Sequence, residues 1–146
     1  MGFWPFSGRS SKVAVLRLSG VISASDKPFG GGLSFASLNL GIERAFAMKG
    51  VKAVALLVNS PGGSPVQSAL ICRRIRSLAL EKEVPVFAFI EDIAASGGYW
   101  LSCSADKIYA MESSIVGSIG VISSGFGAVE AIKKLGIERR VYTEGK

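Results

Sequence analysis

Two short stretches combine residue types that packing alone does not ask for. The first is Asn59-Ser60-Pro61-Gly62-Gly63-Ser64-Pro65, set between an apolar run and a helical pattern. Its paired glycines let the backbone turn and approach a ligand with no Cβ in the way. At a helix N-terminus, their N–H groups can point at an anion or at an oxygen that gains charge during acyl transfer. Taken alone, Pro-Gly is also a common turn. The second stretch, Ala94-Ala95-Ser96-Gly97-Gly98-Tyr99-Trp100, flanks a serine with small residues. A nucleophile on a sharp strand-to-helix turn needs this, because larger neighbours would shield the hydroxyl. The elbow pattern is Gly-x-Ser-x-Gly, and Ala94 replaces its first glycine. The plainer reading makes Ser96 a helix N-cap. Together the stretches offer a serine on one loop and amides on another, with Gly97 N–H as a second oxyanion donor.

The chain of 146 residues contains no histidine. A Ser-His-Asp triad, a Cys-His dyad and a His-containing zinc site are therefore excluded within it. Acid–base work falls to Lys, Asp, Glu, Tyr or Cys. With 49% apolar and 19% charged residues, the composition is that of a globular domain rather than a disordered one. The net charge of +6 suits an anionic partner. Its densest groups, Arg73, Arg74 and Arg76, then Lys133, Lys134, Arg139 and Arg140, lack interleaved aromatics, so a solvated surface is expected and nucleic-acid binding is not. Cys72 and Cys103 are too few for a disulfide scaffold or a CxxC metal site and read as buried thiols.

The elements that must position these loops alternate. Strands are expected at Val13–Leu18, Val51–Val58 and Val84–Ile90, the last two apolar enough to be buried on both faces. Helices are expected over Leu38–Met48, Ser64–Leu80 and Ser96 to about Ser104. A glycine-rich loop, Phe29 to Leu33, follows the first strand. A turn-rich stretch should follow Ile90. Shorter strands are expected at Lys107–Met111 and Val116–Ser123. A last helix carries Glu130 and Lys134 and ends at Gly136, before a strand over Ile137–Thr143. This pattern predicts one α/β domain with a largely parallel sheet, residues 13–146, behind an N-terminal tail of residues 1–12. Both loops then fall at the same end of successive parallel strands and should face each other. No apolar run reads as a membrane span: Ala53–Cys72 is uncharged but broken by turn formers. Phe3, Trp4, Pro5 and Phe6 beside Arg9 and Lys12 form either a plain tail or a peripheral anchor at a membrane interface.

Asn59 to Gly63, Ala94 to Trp100 and Ser118-Ile119-Gly120-Val121, in this order, resemble the signal peptide peptidase family of serine proteases, related to the caseinolytic protease and crotonase superfamily. The resemblance runs from about Val13 to Thr143. It implies a repeated ββα superhelix with a mainly parallel sheet. It implies Ser96 as nucleophile, with Gly62 or Gly63 and Gly97 supplying the oxyanion hole, and no cofactor or metal. It also implies a Ser–Lys dyad, which fits the missing histidine; the region of Val121, where caseinolytic relatives carry one, is apolar. A lysine can take the serine proton only when neutral, so burial or a nearby cation must lower its pKa from about 10.4. The family's lysine follows the last strand, about where Lys146 stands. A terminal lysine cannot be buried, so the base is expected just past Lys146 and the chain is expected to be a fragment.

The resemblance further implies apolar peptides, such as cleaved signal peptides, as substrates, bound by strand addition. Tyr99 and Trp100 are open to lining a specificity pocket or to core packing. Homo-oligomeric rings with shared active sites are implied, and the cytoplasm, with peripheral attachment to the inner membrane as an option, is the expected location. Two other readings remain: a non-catalytic oligomeric scaffold, and a crotonase-like acyl-thioester binder for which Glu91 and Asp92 are the sole acidic candidates.

Overall fold

A computed structural model describes residues 11–24, 32–120, 125, 127–138 and 140. Its first elements are β1 (Lys12–Ser19), α1 (Phe35–Ala47), β2 (Val51–Ser60), α2 (Pro65–Lys82) and β3 (Val86–Ala95). These are followed by α3 (Gly97–Ser102), β4 (Lys107–Tyr109), β5 (Ile115–Gly117) and α4 (Val129–Lys134). The strands pair in the order β1-β2-β3-β4, with β5 also on β3, and every pairing is parallel. The expected α/β architecture with a parallel sheet is what the chain adopts.

One row of inward residues explains the core. Ala14, Val54 and Val86 stand in register across the sheet, as do Leu18, Val58 and Ile90. All are buried, together with Ile42 and Phe46 of α1 and Ile71, Ile75 and Leu78 of α2. The alternate residues Val13 and Val15 are exposed instead. Burying a side chain such as Ile71 is worth about 1.5–3 kcal/mol, so this single core dominates the fold. The helices start at side-chain caps. Ser34 opens α1 in a capping box with Ser37, and Ser64 opens α2 ahead of Pro65 at the first helical position. Gln67 ties the two starts together, its Oε1 accepting from Phe35 N–H at 2.8 Å.

The structure differs from the sequence reading at a few places. The strand expected to stop at Ile90 runs on to Ala95, because β5 pairs with Ile93, Ala94 and Ala95. Glu91 and Asp92, which look like turn residues, are accommodated by Arg17 and Asn59 respectively. On α4, Glu130 pairs with Lys133 rather than Lys134, at 3.4 Å. Cys103 is exposed rather than buried, and Cys72 is half-buried. Ile137, Glu138 and Arg140 are not in a strand; Val141 to Thr143, Val121 to Ser124, Gly30, Gly31, the tail to Ser10 and Lys146 lie outside the described residues. Among the described residues no helix is long and apolar enough to cross a membrane.

Candidate active site

The two glycine-bearing loops leave the carboxyl ends of β2 and β3, which are parallel neighbours. The first loop is pinned to the chain beyond β1. Ile22 N–H donates to Gly62 O and Ser64 N–H to Ile22 O, both at 2.8 Å. Gly62 and Gly63 have φ of +97° and +144°, a region that side chains with a Cβ avoid. There is no room for a Cβ either. One on Gly63 would run into Ile22 O, and one on Gly62 would lie 2.7 Å from Ala95 O and 2.8 Å from Gly97 N. The Gly62 backbone is therefore in contact with the Ser96 turn, as the loop geometry predicts.

Ser96 sits between β3 and α3 with φ +50° and ψ −118°. A non-glycine residue in such a conformation costs about 1–3 kcal/mol and persists only where its surroundings impose it. The surroundings here are tight. Ser96 N–H donates to Gly117 O of β5 at 2.8 Å, and Gly97 and Gly98 are buried. A Cβ on Gly97 would meet Ser68 Oγ, and one on Gly98 would meet Ser60 O. Small residues around Ser96 are thus a packing requirement of the turn. Ser96 stands at the N-cap position of α3, yet its side chain makes no capping bond. Its hydroxyl has no hydrogen-bond partner among the described residues. The plain N-cap reading does not account for the side chain.

The amides beside Ser96 differ in availability. Gly62 N–H donates to Ser60 Oγ at 3.1 Å and is buried. Gly63 N–H has no partner among the described residues. Gly63, Ser96 and Gly97 line one cleft of about 510 Å³, with Pro65, Tyr99, Trp100, Cys103, Ile119 and Gly120 completing it. Its wall is apolar, and Trp100 is 45% exposed into solvent. Tyr99 and Trp100 are therefore cleft residues, as one of the two readings had it. Cys103 was not singled out for the site. It caps the six-residue α3, one turn beyond Tyr99, too short a helix to show a periodic pattern.

Among the described residues lining the cleft there is no lysine and no carboxylate. Glu91 is held by both oxygens on Arg17 at 2.8 Å, and Asp92 accepts from Asn59 Nδ2 at 2.8 Å. Neither lines the cleft, so the acidic pair that an acyl-thioester enzyme would use is engaged elsewhere. No group of three or more His, Cys, Asp or Glu able to hold a metal occurs among the described residues.

The chain matches peptidase family S49 over residues 79–146. It is 33% identical over 143 residues to the chloroplastic serine protease SPPA of Arabidopsis thaliana, covering 96% of this chain and 21% of that protein. It is 38% identical over 129 residues to protease 4 of Haemophilus influenzae, covering 87% of this chain and 20% of that protein. A protein of Brucella abortus named Na(+)/H(+) antiporter NhaA is 52% identical over 140 residues, 96% of this chain and 19% of that protein. The chain thus spans about a fifth of the length of these curated relatives. Among solved structures it resembles a 1510-N membrane-bound stomatin-specific protease mutant, with a TM-score of 0.59 and 16% identity, covering 86% of this chain and 59% of that one. At that identity the likeness bears on the fold.

Proposed function

We propose that this chain carries the nucleophile and oxyanion hole of a serine endopeptidase of the signal peptide peptidase type. The observation that carries the reading is Ser96 in its strained turn, with an unbonded hydroxyl, facing the same cleft as Gly63 and Gly97. Ser96 Oγ attacks the carbonyl carbon of a peptide bond. The carbonyl oxygen takes the developing negative charge and is met by the Gly63 and Gly97 N–H groups, while Gly62 N–H stays on Ser60. A neutral lysine accepts the serine proton, then gives it to the departing amine as the tetrahedral intermediate collapses to an acyl-enzyme. Water, deprotonated by the same lysine, hydrolyses the ester and restores Ser96. That lysine is Lys146, one further along the full protein, or one from a neighbouring protomer in an oligomer. The apolar cleft wall of Pro65, Tyr99, Trp100 and Ile119 suits apolar peptides. The antiporter name of one relative does not transfer to this segment. This chain spans only 19% of that protein.

The test is covalent labelling of the full-length protein with a fluorophosphonate, located by mass spectrometry. Labelling on Ser96, abolished in Ser96→Ala, supports the peptidase. A non-catalytic scaffold draws support from the described cleft residues, among which there is no lysine or carboxylate. Undiminished labelling in Ser96→Ala, or none in the wild type, would favour that scaffold.

A further inference from the structure

The Ser60 hydroxyl occupies the junction of three segments. Ser60 ends β2 and is fully buried. Its Oγ donates to Gly20 O, beyond β1, at 2.6 Å and accepts from Gly62 N–H at 3.1 Å. Its Cβ would lie 3.1 Å from a Cβ placed on Gly98, so it also packs against α3. A single side chain thus touches the end of β1, the glycine loop and the helix that Ser96 opens.

We propose that Ser60 is a positioning residue that decides which amide of the glycine pair faces the cleft. This inference rests on the peptidase reading and deepens it. The peptide between Gly62 and Gly63 is held through its carbonyl, which accepts from Ile22 N–H at 2.8 Å, whereas the preceding peptide, which carries Gly62 N–H, has no Cβ on Gly62 to hold its orientation. Ser64 N–H bonding to Ile22 O fixes the loop on one side. The Ser60 bond to Gly62 N–H fixes it on the other. With Gly62 N–H turned inward, Gly63 N–H is the donor left for the cleft that Ser96 lines. Ser60 itself lies outside the cleft, so it acts through the loop and not on substrate. The bond from its hydroxyl to Gly20 O orients the Oγ lone pairs toward Gly62. Removing the hydroxyl leaves two buried backbone groups, Gly62 N–H and Gly20 O, without this partner.

The experiment compares wild type, Ser60→Ala and Ser60→Cys in the full-length protein by two readouts. These are amide exchange at individual backbone positions and the rate at which a fluorophosphonate labels Ser96. In Ser60→Ala, Gly62 exchange should rise about tenfold or more, the size of one net hydrogen bond, with Ile22 and Ser64 exchange unchanged. Labelling should slow by about tenfold to a hundredfold, less than or equal to the loss of a whole oxyanion donor. Ser60→Cys, with a weaker donor and acceptor and no added branch, should fall between the two; it carries both readouts if the alanine variant does not fold. Unchanged Gly62 exchange overturns the inference, and so does faster exchange with undiminished labelling. Absence of labelling in the wild type overturns the peptidase reading instead, and Gly62 exchange then still decides whether Ser60 holds the loop.

Discussion

Gly62 and Ser96 belong to different loops, yet a Cβ on Gly62 would lie 2.9 Å from the Ser96 Cβ. The glycine loop after β2 is thus the wall against which the serine turn is built. Its first glycine sets the distance, and its second turns toward the cleft.

A methyl group at Gly62 must therefore move the serine turn. Gly62→Ala combines this clash with a strained φ of +97°. Displacement by about 1 Å at a reacting group can cost on the order of a hundredfold, and fluorophosphonate labelling of Ser96 should drop by at least that. Gly136→Ala is the control. It shares a positive φ, +67°, but has open space around it, so it should cost only about 1 kcal/mol of stability and leave labelling intact. Equal labelling losses in both variants would show that backbone strain alone, not contact with Ser96, is responsible.

The facing of these loops was legible in the sequence because it follows from topology. Val51 to Val58, apart from Lys52, and Val84 to Ile90 are apolar runs, and parallel neighbours must end on the same side. What followed Ile90 was not legible. Glu91 and Asp92 are charged residues inside β3, tolerated because Asn59 reaches Asp92 from neighbouring β2 and Arg17 reaches Glu91 from β1, one strand further away. The partner that extends β3, β5, has three residues, too few for any period to register. Which glycine is free for an oxyanion was also hidden, since it depends on one hydrogen bond from Gly62 to Ser60. The chemistry-bearing residues were visible as types at a spacing. Their division of labour needed the geometry.

Cys103 provides a handle on the cleft. It is exposed and lines the same wall as Ser96, whereas burial pushes the Cys72 thiol upward, reinforced by the neighbouring Cys103. Only the thiolate reacts, so iodoacetamide near neutral pH should alkylate Cys103 well before Cys72. The added group should obstruct the cleft and slow Ser96 labelling by about tenfold, and Cys103→Ser should remove that sensitivity. Peptide mapping over a time course gives the order of modification; Cys72 reacting first would refute it.

Gly41 tests the scaffold apart from the site. It lies within α1 on the exposed side, and nothing stands within 4 Å of a Cβ placed there. Alanine restricts the unfolded chain and favours the helix, so Gly41→Ala should stabilise the protein by about 0.5–1 kcal/mol. In a chain of this size that is a rise in melting temperature of roughly 1–4 °C. Labelling of Ser96 should not change. A fall in melting temperature would mean that α1 is covered on this side in the folded protein.

Asp106 gives the fold a dependence on acid. Its Oδ2 accepts from Val86 N–H at the start of β3, and its Oδ1 pairs with Arg76 of α2, both at 2.8 Å. The Val86 N–H bond, then the Arg76 guanidinium, holds this carboxyl below its ordinary range. A carboxylate with a folded pKa below its unfolded one contributes stability that is fully present above the unfolded pKa. That contribution is lost as the pH falls through the folded pKa. The window therefore lies from the ordinary aspartate value of about 3.8 downward. Asp106→Asn removes the charge at every pH but retains a carbonyl oxygen for Val86. Allowing for the partial exposure of the pair, it should cost about 1 kcal/mol at pH 7. The gap in melting temperature between variant and wild type should then narrow as the pH is lowered from 5 toward 3. Melting curves across that range decide the matter: a gap that stays constant would mean that the Asp106 charge does not contribute to stability.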